Sequence, residues 1–138
     1  ELLSTFSIFH ATVSASLGLD EDRRIRLARD LEYLGGRQQP PVAWSPPAST
    51  AGRLGSAYVV EGSSLGGKII YRQLDYLFGA MPDGRRFFQG TPSDTERWRS
   101  LCQRIETVGQ DGEARDEMIA GASSTFALFE KLIEPVKP

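Results

Sequence analysis

Apolar residues recur at spacings of three and four along nearly the whole chain, which is the pattern of amphipathic helices. Leu2, Phe6, Phe9, Val13 and Leu17 mark a first helix, with Gly18 as its stop. Asp20 is placed to cap a second helix, in which Leu27, Leu31 and Leu34 face inward, Arg23, Arg24, Arg26 and Arg29 face mostly outward, and Gly35-Gly36 forms the end. Prolines at 40, 41, 46 and 47 make residues 37–49 a loop. Ser49 or Thr50 then caps a long helix expected to run unbroken to Phe78. Pro82-Asp83-Gly84 reads as a turn, and Ser93-Asp94-Thr95-Glu96 as a capping box with Ser93 at the cap. Trp98, Leu101, Cys102 and Ile105 share one face of the helix that follows. A last helix, from Gly112 to Glu134, is expected to bury Met118, Ala122, Phe126, Phe129 and Ile133, with Pro135 and Pro138 beyond its end. The pattern predicts an all-α fold of about five helices.

One stretch breaks the regularity. Ala57-Tyr-Val-Val-Glu-Gly-Ser-Ser-Leu-Gly-Gly-Lys68 places Gly62, Gly66 and Gly67 inside an apolar repeat. Each glycine in a helix interior costs about 1 kcal/mol relative to alanine, so their recurrence points to a need for bare backbone. Gly62 and Gly66 are four apart and share a helical face, against which something flat or bulky can lie. A second reading is a phosphate-binding loop, since Gly62 to Lys68 fits the first seven positions of G-x-x-x-x-G-K-[ST]. Ile69 fails the eighth, where a hydroxyl would hold Mg²⁺, and the one short apolar run before it, Tyr58-Val59-Val60, has no visible strand partner.

Gly55-Ser-Ala-Tyr-Val-Val-Glu-Gly-Ser-Ser-Leu-Gly-Gly-Lys68 resembles the distal-helix segment of the bacterial heme oxygenases, including those associated with bacteriophytochromes. Arg86-Phe-Phe-Gln-Gly90, Trp98 and Ala122-Ser-Ser-Thr-Phe-Ala-Leu-Phe129 follow the same family's order, so the resemblance runs from Glu1 to about Ile133. It implies a heme-oxygenase-like multi-helical fold, a single domain over residues 1–138, and oxidative cleavage of heme to biliverdin, CO and Fe²⁺ with O₂ and an external electron donor. Heme is then both substrate and cofactor. A bacteriophytochrome as biliverdin acceptor, and a bacterial, cytoplasmic setting, belong to the same implication. By resemblance Gly62, Ser63 and Gly66 are the catalytic positions, where backbone approaches bound O₂. Tyr58, Gly62, Ser64, Gly66, Gly67 and Phe126 are the heme contacts: Tyr58 at a propionate, Ser63 and Ser64 holding water, Gly67 at the bend, Phe126 at the pocket wall. Each has a plainer reading, the glycines as close helix packing, Tyr58 as an amphipathic surface tyrosine and Phe126 as core. The alternative function is a non-catalytic domain of the same fold that binds a tetrapyrrole or another protein.

His10 is the sole histidine. The family's iron ligand is a histidine on the first helix, much further ahead of the glycine helix than His10 stands. Glu1 to Leu17 resembles the family's second helix instead. His10 is therefore expected to be a hydrogen-bonded or half-exposed histidine at the edge of the core, and no residue here is assigned to metal. The expectation is a fragment or processed product whose ligand helix lies upstream, or a degenerate relative. Lys68, Arg72, Arg85 and Arg86 read as solvated charges, and Cys102 as an inert apolar-face thiol.

Composition narrows the remaining classes. A net charge of −2 gives no electrostatic case for nucleic acid or an anionic membrane. A lone cysteine excludes an internal disulfide and suits a reducing compartment. No apolar run approaches the ~18 residues of a membrane span. No nucleophile elbow, paired carboxylates or Cys/His cluster is present, which suits a reaction whose hard chemistry belongs to a bound group.

Overall fold

Left-handed glycines end the first two helices where the sequence places them, Gly18 at φ 66° and Gly35 at φ 81°. A computed structural model describes residues 2–18, 22–63, 67–79 and 83–133. Its regular elements are all helices: α1 (Leu2–Leu17), α2 (Asp22–Tyr33), α3 (Thr50–Gly62), α4 (Gly67–Gln73), α5 (Asp75–Phe78), α6 (Arg86–Gln89), α7 (Pro92–Val108) and α8 (Gly112–Ile133). Tyr58, Val59 and Val60 lie within α3, so the strand that a phosphate-binding loop requires is not there. The cap expected at Asp20 and the helix end at Glu134 lie outside the described residues, as does Pro82 of the expected turn.

Three apolar clusters hold the helices together. Phe9 and Val13 of α1 meet Val59 and Val60 of α3 and Leu128 of α8. Phe6 and Leu27 pack on Phe87 and Phe88 of α6. Ala51 and Leu54 of α3 pack on Leu101 of α7 and Met118 of α8. The α3–α8 crossing is the closest approach in the fold. A Cβ added to Gly55 would collide with the Met118 carbonyl oxygen, and one on Gly121 with the Gly52 carbonyl oxygen. Between the crossing helices, Thr125 Oγ1 lies 2.8 Å from both Ser56 Oγ and the Gly121 carbonyl. Two fully buried hydroxyls thus satisfy one another and a carbonyl.

The structure corrects several expectations. The long helix does not run unbroken from Thr50 to Phe78: α3 ends at Gly62, with Ser63 as its C-cap, and Leu74 separates α4 from α5. These two breaks and the short α6 raise the expected five helices to eight among the described residues. Ser49 does cap α3, accepting from Gly52 N at 2.9 Å. The capping box of α7 sits two residues earlier than expected, with Thr91 as cap and Asp94 as its reciprocal partner. Pro92 fixes the first helical position there. On α2, Leu34 is exposed while Arg23 and Arg26 are buried, because their guanidinium groups meet carboxylates of α3 and α7. On α8 the buried face is Met118, Gly121, Thr125 and Leu128, since the crossing at Gly121 turns small residues inward. Phe126 is consequently 55% exposed rather than core.

Candidate functional site

The face of α3 that carries Gly62 opens onto a cleft of about 350 Å³. Phe6 and Phe9 of α1 form one wall, and Tyr58, Val59, Gly62 and Ser63 another. Trp98 of α7 and Phe126 and Phe129 of α8 complete it. Helical spacing explains the grouping, since Tyr58 and Gly62 are four apart and Phe126 and Phe129 are three apart. Phe9 and Phe129 pack edge to face with centroids 5.1 Å apart, and Phe6 and Phe129 pack tilted at 5.4 Å. Tyr58 and Phe126 are substantially exposed at the mouth, and the Tyr58 and Trp98 rings lie 5.4 Å apart. Among the described residues, no charged side chain lines the cleft. Its size and largely apolar lining are those of a small-molecule site.

The residues expected at the site divide into three groups. Tyr58, Gly62, Ser63 and Phe126 come together in the cleft. At Gly62 the bare backbone faces an opening, and an added Cβ would lie 3.4 Å from Trp98 Cζ3. Ser63 Oγ donates to the Val60 carbonyl at 2.6 Å, so its hydroxyl proton is engaged within α3 and its oxygen is left to accept. Gly67 opens α4 and faces elsewhere: a Cβ there would lie 2.5 Å from the Phe88 carbonyl oxygen, so its bareness serves α4–α6 packing. Ser64 and Gly66 lie outside the described residues. Of the charges read as solvated, Arg72 is exposed and Arg86 pairs with Asp83 at the surface. Arg85 is instead 1% exposed, donating to the Tyr71 and Gly79 carbonyls and to Asp75.

His10 is more deeply buried than expected, at 1% exposed, and its Nε2 has no hydrogen-bond partner. It does not line the cleft; it packs on the Phe6, Phe9 and Phe87 rings and borders a separate cavity beside Arg24 and the loop prolines. Burial, reinforced by Arg23, Arg24 and Arg26, lowers its pKa from 6.5 to about 3. The imidazole is thus neutral in the folded chain but protonates in the unfolded chain below pH 6.5. Stability contributed by this group is complete above 6.5 and is lost as pH falls toward 3. Urea unfolding should therefore show a loss of about 2 kcal/mol from this group between pH 7 and pH 5. In a His10→Gln variant that increment should vanish; an unchanged pH slope would contradict the assignment.

Sequence reasoning missed the aromatic wall at Phe6 and Phe9, which it read as core only, and a buried ion cluster behind the cleft. Arg23 Nη2 donates to Glu61 Oε2 at 2.7 Å and Asp94 Oδ1 at 3.3 Å, and Arg26 Nη2 reaches Asp94 Oδ2 at 2.9 Å. Glu61 inside an apolar stretch, one residue before Gly62, was the available signal. Among the described residues no group of His, Cys, Asp and Glu could hold a metal ion, and no helix is long and apolar enough to cross a membrane.

Comparison with known proteins bears on the family and the fold. The sequence model of the heme oxygenase family matches residues 42–135. A heme oxygenase of Xanthomonas campestris pv. campestris (strain 8004) is 38% identical over 104 residues, which is 75% of this chain and 62% of that protein. The chain therefore spans less than two thirds of that relative's length. A crystal structure of the NO- and CO-bound heme oxygenase from Neisseria meningitidis superposes with a TM-score of 0.77 at 23% identity, covering 97% of this chain and 73% of the other, which shows a shared fold.

Proposed function

This chain belongs to the heme oxygenase family, and we propose that its cleft binds heme for oxidative cleavage to biliverdin, CO and Fe²⁺, with O₂ and electrons from an external donor. The observation that carries this reading is a cleft with aromatic walls and a bare glycine face. A flat apolar macrocycle fits such walls. Among the described residues the lining holds no carboxylate, histidine or lysine, which suits a reaction whose redox chemistry is supplied by the heme itself when bound.

The protein's own residues then have positional roles. Gly62 lets the α3 backbone approach the ring plane, where any side chain would meet Trp98 first. Ser63 Oγ, its proton held by Val60, offers lone pairs to a water hydrogen. Tyr58 at the mouth would offer its hydroxyl to a propionate, and Phe126 and Phe129 would give the macrocycle an apolar wall. No described residue of the lining supplies an iron ligand. We assign that role to a residue outside the described ones and not to His10, which the Phe6 and Phe9 rings separate from the cleft.

Incubating the full-length gene product with hemin, a reductant and O₂ should generate the biliverdin absorption band. Stable hemin binding without turnover would favour the alternative, a tetrapyrrole-binding domain without catalysis. His10→Ala should leave the Soret band of the hemin complex unchanged; a lost or shifted band in a folded variant would make His10 the ligand.

A further inference from the structure

Glu61 and Arg97 each stand one residue before a residue of the cleft wall, Gly62 on α3 and Trp98 on α7. They point away from the cleft, into the buried ion cluster. There Arg23 of α2 bridges the two helices, since its Nη2 donates both to Glu61 Oε2 of α3 at 2.7 Å and to Asp94 Oδ1 of α7 at 3.3 Å. All three are nearly inaccessible, at 4%, 7% and 8% exposed. Arg97 pairs with Asp94 in its own helix and brings Nε to 3.8 Å from Glu61 Oε2, a second tie from α7 to α3. Arg26 holds Asp94 from the far side.

A planar guanidinium with fixed donor directions is a spacer of defined width in a way that packed aliphatic side chains are not. Apolar residues of similar volume would often be as stabilising as a buried ion cluster. What this cluster adds is a single geometry for the last turn of α3 against the first turns of α7. Those are the turns that carry Gly62 and Trp98, two adjoining parts of the cleft wall, so close that a Cβ on Gly62 would touch the Trp98 ring at 3.4 Å.

We propose that the Glu61–Arg23–Asp94 bridge is a positioning device that holds Gly62 against Trp98 in the cleft wall, and through that contact sets the fit of a planar ligand. The planar ligand rests on the heme reading above; the Gly62–Trp98 contact does not.

The test uses the full-length gene product carrying Trp44→Phe, which leaves Trp98 as the remaining tryptophan of this chain. Glu61→Gln keeps the shape of the bridge and removes one charge. It should increase acrylamide quenching of Trp98 without hemin present, at unchanged helicity, and weaken hemin binding roughly tenfold, the equivalent of one charge-assisted bond. Combined with Trp98→Phe, the same substitution should cost less than about threefold, because residues acting through one contact are not additive. Leu31→Ala, a buried α2 change away from the cleft, should destabilise the fold while leaving quenching and affinity at their reference values. If Glu61→Gln does not fold, Arg23→Lys, whose ammonium lacks the planar fork, gives the same readouts. Unchanged Trp98 quenching, or equal affinity losses with and without Trp98, overturns the proposal. A reference protein that binds no hemin would refute the heme reading, and Trp98 quenching alone would then decide the spacer.

Discussion

Gly55→Ala is expected to cost about 3 kcal/mol, enough to lower the melting temperature of a domain of this size by roughly 10 °C. The added methyl would overlap the Met118 carbonyl oxygen and come within 2.8 Å of the Met118 carbonyl carbon. Both are backbone atoms of α8, so no side chain can swing aside. The crossing would have to open, exposing the hydroxyl pair of Ser56 and Thr125. Gly62→Ala supplies the contrast. Its Cβ meets Trp98 at 3.4 Å, and alanine is the better helix former by about 1 kcal/mol, so the change should be nearly neutral or stabilising. Thermal melts followed by circular dichroism separate the two. Wild-type melting of Gly55→Ala would mean that α3 and α8 do not cross as described.

Asp94→Ala should destabilise by about 3–5 kcal/mol, the usual result of removing one partner from a buried ion cluster. The carboxylate faces Arg23, Arg26 and Arg97 and also accepts from Thr91 N at 3.0 Å, so its loss leaves buried cations uncompensated and uncaps α7. Burial alone would raise its pKa, but Arg23, Arg26 and the Thr91 N–H outweigh burial and hold it below the ordinary value of 3.8. Stability from this group is therefore present above pH 3.8 and is lost as pH falls through the lowered folded-state value. Asp30 works in the opposite direction. Desolvation raises its pKa despite bonds from Phe87 N and Arg86 N, so it costs stability as pH rises through its folded value. Denaturant titrations at neutral pH give the Asp94→Ala loss directly, and a change under 1 kcal/mol, well below the ~3 kcal/mol floor, would contradict the buried cluster.

The helical character of the chain and several element ends could be read from sequence because they depend on local chemistry. Gly18 and Gly35 stop helices through their own backbone conformations, and Ser49 caps α3 through the amide three residues on. Which face of a helix is buried depended on distant partners and could not be read that way. Arg23 and Arg26 looked like solvent-facing charges because Glu61 and Asp94 lie 38 to 71 residues further along. The same recruitment of Asp94 explains why the capping box formed at Thr91 when Ser93 and Glu96 offered an equally good local signature. On α8, large side chains suggested the core face, yet the close crossing required Gly121 and Thr125 there and left Phe126 at the cleft mouth. The glycine motif was legible as unusual, but its parts divide in space. Gly62 faces the cleft and Gly67 packs on α6.

The most direct test of the account is a hemin titration of the full-length gene product beside its Gly62→Leu variant, followed by the Soret band. Leucine adds four carbons where the α3 backbone borders the cleft, and raises helix propensity by up to about 1 kcal/mol. The wild type should bind hemin with a sharp Soret band. The variant should retain its far-ultraviolet helical signal and lose at least about 1.4 kcal/mol of binding free energy, a tenfold weakening. Equal affinity in the two folded proteins would show that Gly62 does not face the ligand, and the cleft would not be the heme site.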